Sequence, residues 1–236
     1  PVPTQIRKLA TEPLEELPAY PGTIELADLV EDIVSEWPRG IIAAIDGGYG
    51  TAKSHAGAIL YKLAWENRIG AAYIESAQKL QEIFTNFDKE QRQIDVMIQA
   101  AVQRFDTITS KELVEEEKRL TINRKQISTH LVLVPYLIID EAHRYSRKGG
   151  NGWVEMKLAD LINARLLREK TTILIGNGMG DGSIMGRPGP NPLHSSILDR
   201  CRSADCDWLD LNDVPSGRHH YARSGNWGAN RQRKKQ

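Results

Sequence analysis

Apolar residues occur along this chain in short runs and in spaced stripes, and the two patterns predict alternating strands and helices. Short apolar runs between turn residues are typical of strands buried in a parallel sheet. Such runs lie at residues 41–45, 71–75, 131–139 and 171–176, and Trp208 lies in a further, final strand. The pattern therefore predicts an α/β fold around a parallel sheet.

Stripes of apolar residues at a spacing of three or four predict the helices between these strands. One stripe precedes the first strand at residues 24–34, and another follows it at residues 58–64. A long charged segment at about residues 90–128 carries a third stripe, which includes Ile94 and Met97. We interpret this segment as an inserted pair of helices that packs on the core and has no catalytic role.

A glycine-rich loop joins the first strand to the helix that follows it. The sequence Asp46-Gly-Gly-Tyr-Gly-Thr-Ala-Lys-Ser-His has the spacing of a phosphate-binding P-loop. Glycines let backbone N–H groups face phosphates, and the N-terminus of a helix adds partial positive charge. In this pattern Lys53 reaches the outer phosphates of ATP and Ser54 ligates Mg²⁺. The candidate nucleotide-binding residues of the loop are Gly47, Gly48, Tyr49, Gly50, Thr51, Ala52, Lys53 and Ser54.

Ala52 occupies the position at which a P-loop usually has its last glycine. A methyl group there matters only if the residue has a positive φ angle or lies against the nucleotide. The segment Gly-Thr-Ala-Lys-Ser also resembles the loop of minichromosome-maintenance helicases and related chelatase-type ATPases. Ala52 therefore need not disable the site.

Two acidic residues follow the apolar run at residues 131–139. An aspartate at the carboxyl end of a buried parallel strand can hold hydrated Mg²⁺, and an adjacent glutamate can polarise the attacking water. Asp140 and Glu141 have these positions, with Asp140 as the metal ligand and Glu141 as the catalytic residue. We assign His143 no role, because a histidine here is more often a packing or capping residue at a helix start.

Asn177 directly follows the apolar run at residues 171–176. In ATPases with an extra strand between the two phosphate motifs, a polar residue at this strand end contacts the γ-phosphate or the attacking water. Asn177 is a candidate for that catalytic role. A simple turn at Asn-Gly explains the residue equally well on local grounds.

Several segments together carry a resemblance to a known family. They are residues 47–55, residues 71–83, Asn163-Ala-Arg165 before residues 171–177, Leu198-Asp-Arg200 and Ser216-Gly-Arg218. Over about residues 41–223 the chain resembles the AAA+ ATPases of the bacterial helicase-loader and insertion-sequence ATP-binding (IstB-like) group. The phosphate motifs occur in many ATPases, so the order and spacing of the later arginines carry the narrower resemblance.

The resemblance implies a sheet of strand order 5-1-4-3-2 with helices on both faces. It also implies assembly into rings or spirals, with ATP between neighbouring subunits. Arg200 is then an arginine finger offered to the γ-phosphate of the next subunit, and Arg218 is a second phosphate sensor. A guanidinium at the γ-phosphate stabilises the charge that spreads during transfer. Arg200 has an alternative role in a surface ion pair with Asp199, which contributes little to stability.

The function implied by the resemblance is that of an oligomeric ATPase that uses Mg²⁺ and acts on DNA. The expected partners are DNA of unknown strandedness, further copies of the chain, and a replicative helicase or a transposase. Two alternatives remain open. The sequence Asp-Glu-Ala-His matches a motif of translocating helicases, although that class needs two such folds and this length supplies one. An ATP-gated interaction module with little hydrolysis is the other.

Charge is unevenly distributed, although 31 basic and 31 acidic residues balance over the chain. Residues 10–38 contain acids but no Lys or Arg, whereas residues 214–236 contain Lys and Arg but no acid. We predict a flexible acidic arm at residues 1–22, an AAA+ ATPase domain at residues 23–217 and a basic tail at residues 218–236. The two ends either prefer different partners, with the tail suited to DNA phosphates, or are merely solvated termini.

The chain has no signal for a membrane or a secreted protein. No apolar run approaches the roughly 18–20 residues of a membrane span, and residues 1–10 lack a secretory apolar region. We therefore expect a cytoplasmic protein. Cys201 and Cys206 are too few for a disulfide framework, and with His219 and His220 they match zinc-ligand spacings poorly. Among the tryptophans, Trp227 in the basic tail is the best candidate for stacking on bases.

Overall fold

The computed structural model describes residues 23–35, 40–104, 106–144, 153–181, 189–202 and 206–213. Within these ranges helices and strands alternate along the chain, except that two helices lie between the second and third strands. The strands are β1 (Ile42–Gly47), β2 (Ala71–Ile74), β3 (Tyr136–Ile139), β4 (Thr171–Gly176) and β5 (Cys206–Leu211). The helices are α1 (Thr23–Ser35), α2 (Lys53–Glu66), α3 (Ala77–Gln103), α4 (Thr107–Leu133), α5 (Trp153–Leu166) and α6 (Ser195–Cys201).

The five strands form one parallel sheet in the order β2-β3-β4-β1-β5. Counted from the other edge this is the order 5-1-4-3-2, so the predicted fold class is confirmed. β1 is central, with Ile45 opposite Ile175 of β4 and Leu209 of β5. Because the carboxyl ends of parallel strands meet at one edge, the residues that follow β1, β3 and β4 become neighbours.

Each face of the sheet carries its own hydrophobic cluster, because alternate residues of a strand point to opposite faces. In β3, Leu137 and Ile139 pack with α5, α6 and the near ends of α3 and α4. Tyr136 and Ile138 point the other way and pack with α1 and α2. The sheet is therefore buried on both sides, which explains why its strands read as continuous apolar runs.

The third apolar run is divided between a helix and a strand. The sequence predicts a strand over residues 131–139, but α4 continues to Leu133 and β3 begins only at Tyr136. Pro135 explains the division, because the residue before a proline disfavours helical backbone. Val134 accordingly has extended backbone, with φ −56° and ψ 131°. The strand is shorter than the sequence indicates, although its end at Asp140 is placed correctly.

Two long helices, α3 and α4, form an antiparallel hairpin between β2 and β3. Each has 27 residues, so the hairpin is longer than the insertion expected at about residues 90–128 and spans roughly 40 Å. Between the helices, Arg124 pairs with Asp88 at 2.7 Å and Gln91 donates to Glu117 at 3.0 Å. In α4 the buried residue is Leu131, at the end near the sheet. The helices thus pack largely on each other, and their ends near the sheet join the core.

A fully buried arginine connects this hairpin to the sheet. Arg165 of α5 is 0% exposed, and its Nε donates to the Thr172 hydroxyl at 2.9 Å. Its other nitrogens donate to backbone carbonyl oxygens of Leu131, Val134, Pro135 and Thr171. Burial lowers the pKa of Arg165 to about 10, so the side chain remains charged at neutral pH. It stabilises the link between α4, β3 and β4.

None of the helices in the described part of the chain is long and apolar enough to cross a membrane. The arm at residues 1–22 and the tail at residues 218–236 lie outside the described residues, and so does Trp227. The domain boundaries therefore stay predictions.

Candidate functional site

The glycine-rich loop closes around the ammonium group of Lys53. Lys53 is the first residue of α2 and is only 7% exposed. Its Nζ donates to the carbonyl oxygens of Gly47 at 2.8 Å and Gly48 at 2.6 Å, and to the Thr51 hydroxyl at 3.0 Å. The loop thereby holds a positive charge at the N-terminus of a helix. A phosphate group is attracted both by this charge and by the helix dipole.

Ala52 has left-handed backbone conformation directly before α2, with φ 59° and ψ 12°. Its carbonyl oxygen accepts the N–H groups of His55 and Ala56 at 2.9 and 3.0 Å, so this residue starts the helix. A left-handed residue with a Cβ atom costs about 1–2 kcal/mol. The sequence predicts that the Ala52 methyl group matters only at a positive φ angle or against the nucleotide. Ala52 has a positive φ angle, so the methyl group strains the backbone here.

We expect Ala52→Gly to raise the free energy of unfolding by about 0.5–1 kcal/mol, because glycine adopts this backbone without the Cβ strain. Urea unfolding followed by circular dichroism measures the change. Ala100→Gly is the matched control, since Ala100 lies within helix α3, where glycine costs about 1 kcal/mol. Equal destabilisation by both substitutions contradicts the prediction.

Asp140 directly follows β3, and both of its carboxylate oxygens accept a hydrogen bond. The backbone N–H of Glu141 donates to Oδ1 at 2.8 Å, and the hydroxyl of Tyr73 donates to Oδ2 at 2.8 Å. Glu141 has a positive φ of 42°, and its carboxylate pairs with Arg144 at 2.9 Å. Backbone strain of this kind is frequent at functional sites, where the surrounding structure maintains it.

Asn177 directly follows β4 and is linked to the end of β3 through His143. The backbone N–H of Asn177 donates to Nδ1 of His143 at 3.2 Å. Because Nδ1 accepts, the proton of the neutral ring lies on Nε2. Burial lowers the pKa of His143, which favours this neutral form. His143, to which the sequence analysis assigns no role, thus joins the two strand ends that carry the acids and Asn177.

These strand ends and the glycine-rich loop surround one cavity of about 270 Å³. The predicted site residues that line it are Tyr49, Gly50, Thr51, Ala52, Lys53, Ser54, Asp140, Glu141 and Asn177. His55, His143 and Gly176 complete the wall. Gly47 and Gly48 take part through the carbonyl groups that hold Lys53. The geometry therefore brings a phosphate-type loop, two acids and an amide to one cavity.

A larger groove of about 700 Å³ lies between α3 and α4. Its floor includes Ile94 and Leu120, and its rim includes Glu90, Glu112 and Glu116. A nucleotide carries negative phosphates, which carboxylates repel. The cavity at the glycine-rich loop is accordingly the candidate nucleotide site, although its volume is smaller than that of the groove.

Solved structures share this architecture. Domain III of the replication initiation protein DnaA from Thermotoga maritima matches with a TM-score of 0.54 and 15% identity, covering 89% of this chain and 68% of that chain. The DnaC helicase loader matches with a TM-score of 0.53 and 16% identity, covering 89% of this chain and 100% of that chain. DnaI matches with a TM-score of 0.52 and 13% identity, covering 89% of this chain and 92% of that chain. The strand order and these matches decide the architecture.

The chain has the AAA+ fold. The likeness is one of fold, because the identities are 13–16%. A crystal structure of a DNA replication initiation factor matches 84% of this chain with a TM-score of 0.50 and 16% identity. The match covers 49% of that protein, so this chain spans about half of its length. No family model matches the sequence, and no curated protein sequence matches it.

Two oxygen donors of this AAA+ fold suit a magnesium ion. The Ser54 side chain and the Asp140 carboxylate line the same cavity. Mg²⁺ prefers oxygen ligands, and it usually keeps several waters while binding one or two carboxylates and the phosphates of the nucleotide. The hydrogen bonds from Glu141 and Tyr73 orient the Asp140 carboxylate in advance. The residues present therefore fit this ion, and their role as ligands stays a prediction.

Of the two arginines implied by the resemblance, the structure describes Arg200. Arg200 is exposed on α6, is not part of the cavity wall, and donates from Nε to Asn163 Oδ1 at 2.8 Å. The neighbouring Asp199 forms an ion pair with Arg202. Arg218 lies outside the described residues. The finger role of Arg200 and the sensor role of Arg218 stay predictions.

Among residues without a predicted role, Asp46 and Tyr73 also shape the site. Asp46 is 1% exposed, and its Oδ2 accepts the backbone N–H groups of Met179 at 2.8 Å and Gly180 at 3.3 Å. It therefore anchors the loop that follows Asn177. The sequence could have indicated Asp46, because it is an acid at the end of a predicted buried strand. Tyr73 lacked a comparable signal, because its partner is 67 residues away.

The cysteines are neighbours in space. A hydrogen bond with the Cys201 thiol, together with burial, raises the pKa of the Cys206 thiol, so Cys206 remains protonated at neutral pH. In the described ranges, no group of three or more His, Cys, Asp and Glu side chains could hold a metal ion. His219 and His220, the other residues weighed for zinc, lie outside those ranges.

Proposed function

We propose that this chain is an ATPase that binds ATP with Mg²⁺ in the cavity between its glycine-rich loop and the ends of β3 and β4. One observation supports this proposal above all. The Lys53 ammonium, the Asp140 and Glu141 carboxylates and Asn177 share that cavity, although up to 124 residues separate them in sequence. They are the residue types that phosphoryl transfer to water requires.

Each of these residues has a defined task in the proposed reaction. Lys53 exchanges its bonds to loop carbonyl oxygens for bonds to the outer phosphates, which are charge-assisted and therefore stronger. Ser54 and Asp140 would hold the magnesium ion, and that ion would neutralise charge on the phosphates. Glu141 accepts a hydrogen bond from the attacking water and polarises it. Asn177 orients the γ-phosphate or that water, and Nε2–H of His143 supplies a further donor on the same wall.

The ion pair between Glu141 and Arg144 does not prevent this role. Both side chains are substantially exposed, with 37% of the Glu141 side chain and 64% of the Arg144 side chain accessible. Exposed ion pairs are weak, because water screens them and ordering two long side chains costs entropy. The Glu141 carboxylate can thus leave Arg144 for a water molecule at little cost.

We further propose that the chain assembles into rings or spirals and acts on DNA, as a helicase loader or as an accessory protein of transposition. The likeness of fold to a helicase loader and to a replication initiation protein supports this proposal. Arg200 is exposed on α6 and is therefore accessible to a neighbouring subunit, as a finger must be. Arg218 is proposed as the second phosphate sensor, and the basic residues at 218–236 as the part that contacts DNA phosphates.

We expect Lys53→Ala to weaken ATP binding by about 10–100-fold, because it removes a charge-assisted hydrogen bond worth about 1.5–3 kcal/mol. Titration with a fluorescent ATP analogue measures the dissociation constant. Lys62→Ala is the matched control, since Lys62 lies on the same helix and forms an exposed pair with Glu66. Unchanged affinity in Lys53→Ala overturns the assignment of the loop.

The wider proposal is tested by ATP turnover with and without DNA. Stimulation by DNA supports an ATPase that acts on DNA. Tight binding with no turnover under either condition favours the ATP-gated interaction module instead. A strand-unwinding assay tests the remaining alternative, the translocating helicase.

A further inference from the structure

The hydroxyl of Tyr73 reaches across the sheet to Asp140. Tyr73 lies on β2, opposite Ile138 of the neighbouring β3. Its hydroxyl donates to Asp140 Oδ2 at 2.8 Å. A phenol hydroxyl donates and a carboxylate oxygen accepts, so the hydrogen bond runs from tyrosine to carboxylate.

The ring of Tyr73 packs against α2, the helix that carries Ser54. It meets the ring of Tyr61 edge to face, with centroids 6.3 Å apart and an angle of 82° between the planes. A Cβ atom on Gly57 would lie 3.4 Å from the Tyr73 ring, so the ring contacts the helix backbone there. Ser54, Gly57 and Tyr61 are spaced by three and four residues and share one face of the helix. Tyr73 thus lies against the helix face that carries Ser54.

We infer that Tyr73 is a positioning residue, which holds the Asp140 carboxylate in register with Ser54 so that both can serve one magnesium ion. This inference rests on the proposed function. Glu141 N–H restrains Oδ1 and Tyr73 restrains Oδ2, so rotation of the carboxylate is blocked from both sides. Each oxygen keeps another lone pair for a metal-bound water. Hydrogen bonds that orient a metal ligand in this way typically change metal affinity by about 10–100-fold.

Tyr73→Phe tests the inference, because it removes the hydroxyl and keeps the ring that packs on α2. The readout is binding of a fluorescent ATP analogue across a series of Mg²⁺ concentrations and, separately, in EDTA. We expect the Mg²⁺ concentration for half-maximal enhancement of binding to rise about tenfold, with affinity in EDTA unchanged. Tyr61→Phe is the matched control, since it removes the hydroxyl of the partner ring and leaves the bond to Asp140 intact.

The outcomes separate the inference from the proposal on which it rests. Wild-type protein that binds no ATP analogue refutes the proposed function. If the wild type binds but Tyr73→Phe has the wild-type dependence on Mg²⁺, the inference about Tyr73 is wrong. A loss of affinity in EDTA as well as in Mg²⁺ assigns Tyr73 a merely structural role.

A double-mutant cycle with Asp140 gives a second, independent test of the inference. Asp140→Asn removes the charge through which Tyr73 is inferred to act. In this background, adding Tyr73→Phe should cause no further change in the response to Mg²⁺, whereas independent effects would add. An additional shift of the same size in both backgrounds overturns the inference.

Discussion

Glu141→Gln should reduce ATP turnover by about 100-fold or more while ATP binding stays close to that of the wild type. The amide keeps the size and the hydrogen-bonding capacity of the side chain, but it cannot act as a base. General base catalysis contributes typically 10²–10⁴-fold to enzymatic rates. Binding should persist, because in the proposed site Lys53 and the glycine-rich loop hold the phosphates, and Glu141 forms no contact with the Lys53 ammonium.

Phosphate release and nucleotide titration on the same preparation separate these two effects. Glu169→Gln is a closely matched control, because Glu169 is also a glutamate with left-handed backbone, at φ 53°, and is exposed away from the cavity. We expect wild-type turnover from that variant. If Glu141→Gln abolishes ATP binding, Glu141 has a structural role. If Glu141→Gln keeps the turnover of the wild type, Glu141 is not a catalytic residue.

Arg165→Met should lower the free energy of unfolding by about 3–5 kcal/mol, because it leaves several buried carbonyl groups without their charged donor. Methionine fills part of the volume but donates no hydrogen bond. The carbonyl groups of Leu131, Val134, Pro135 and Thr171 would then be buried without this donor. A buried polar group left unpaired costs about 1–3 kcal/mol.

Urea unfolding of the full chain measures this loss of stability. Arg168→Met is the control, because Arg168 lies just after the end of α5, is exposed, and donates to the nearby Ala164 carbonyl at 2.9 Å. Its substitution should change stability by less than about 0.5 kcal/mol. A loss below about 1 kcal/mol in Arg165→Met would mean that water or neighbouring groups replace the missing donors.

Much of the fold was predictable because the relevant signals are local. The apolar runs of β1 and β4 are short and bounded by turn residues, and the structure places both strands there. The glycine-rich loop followed β1 directly, so the N-terminus of α2 at Lys53 could be located. The strand predicted over residues 131–139 began too early, because the apolar residues before Pro135 belong to the end of helix α4. Apolar composition alone does not distinguish the end of a buried helix from a strand.

The arrangement of the candidate site was only partly predictable. Lys53, Asp140, Glu141 and Asn177 could be named, because each follows a strand whose end is visible in the sequence. The positive φ angles of Ala52 and Glu141 could not be predicted, since both residue types ordinarily have right-handed helical or extended backbone. The position of Arg200 relative to a neighbouring subunit depends on how subunits assemble, which the sequence of one chain does not specify.

The sequence by itself determined the order of strands and helices, the loop that can cradle phosphates, and the acids at the end of β3. These features depend on neighbours within a few residues, so periodicity and spacing carry them. Only the tertiary structure decided that Tyr73 restrains Asp140, that Asp46 anchors the loop after Asn177, and that Arg165 binds the carbonyl groups around β3. Those contacts join residues that are far apart along the chain. They form only when strands pair in one register and the buried polar groups must find partners.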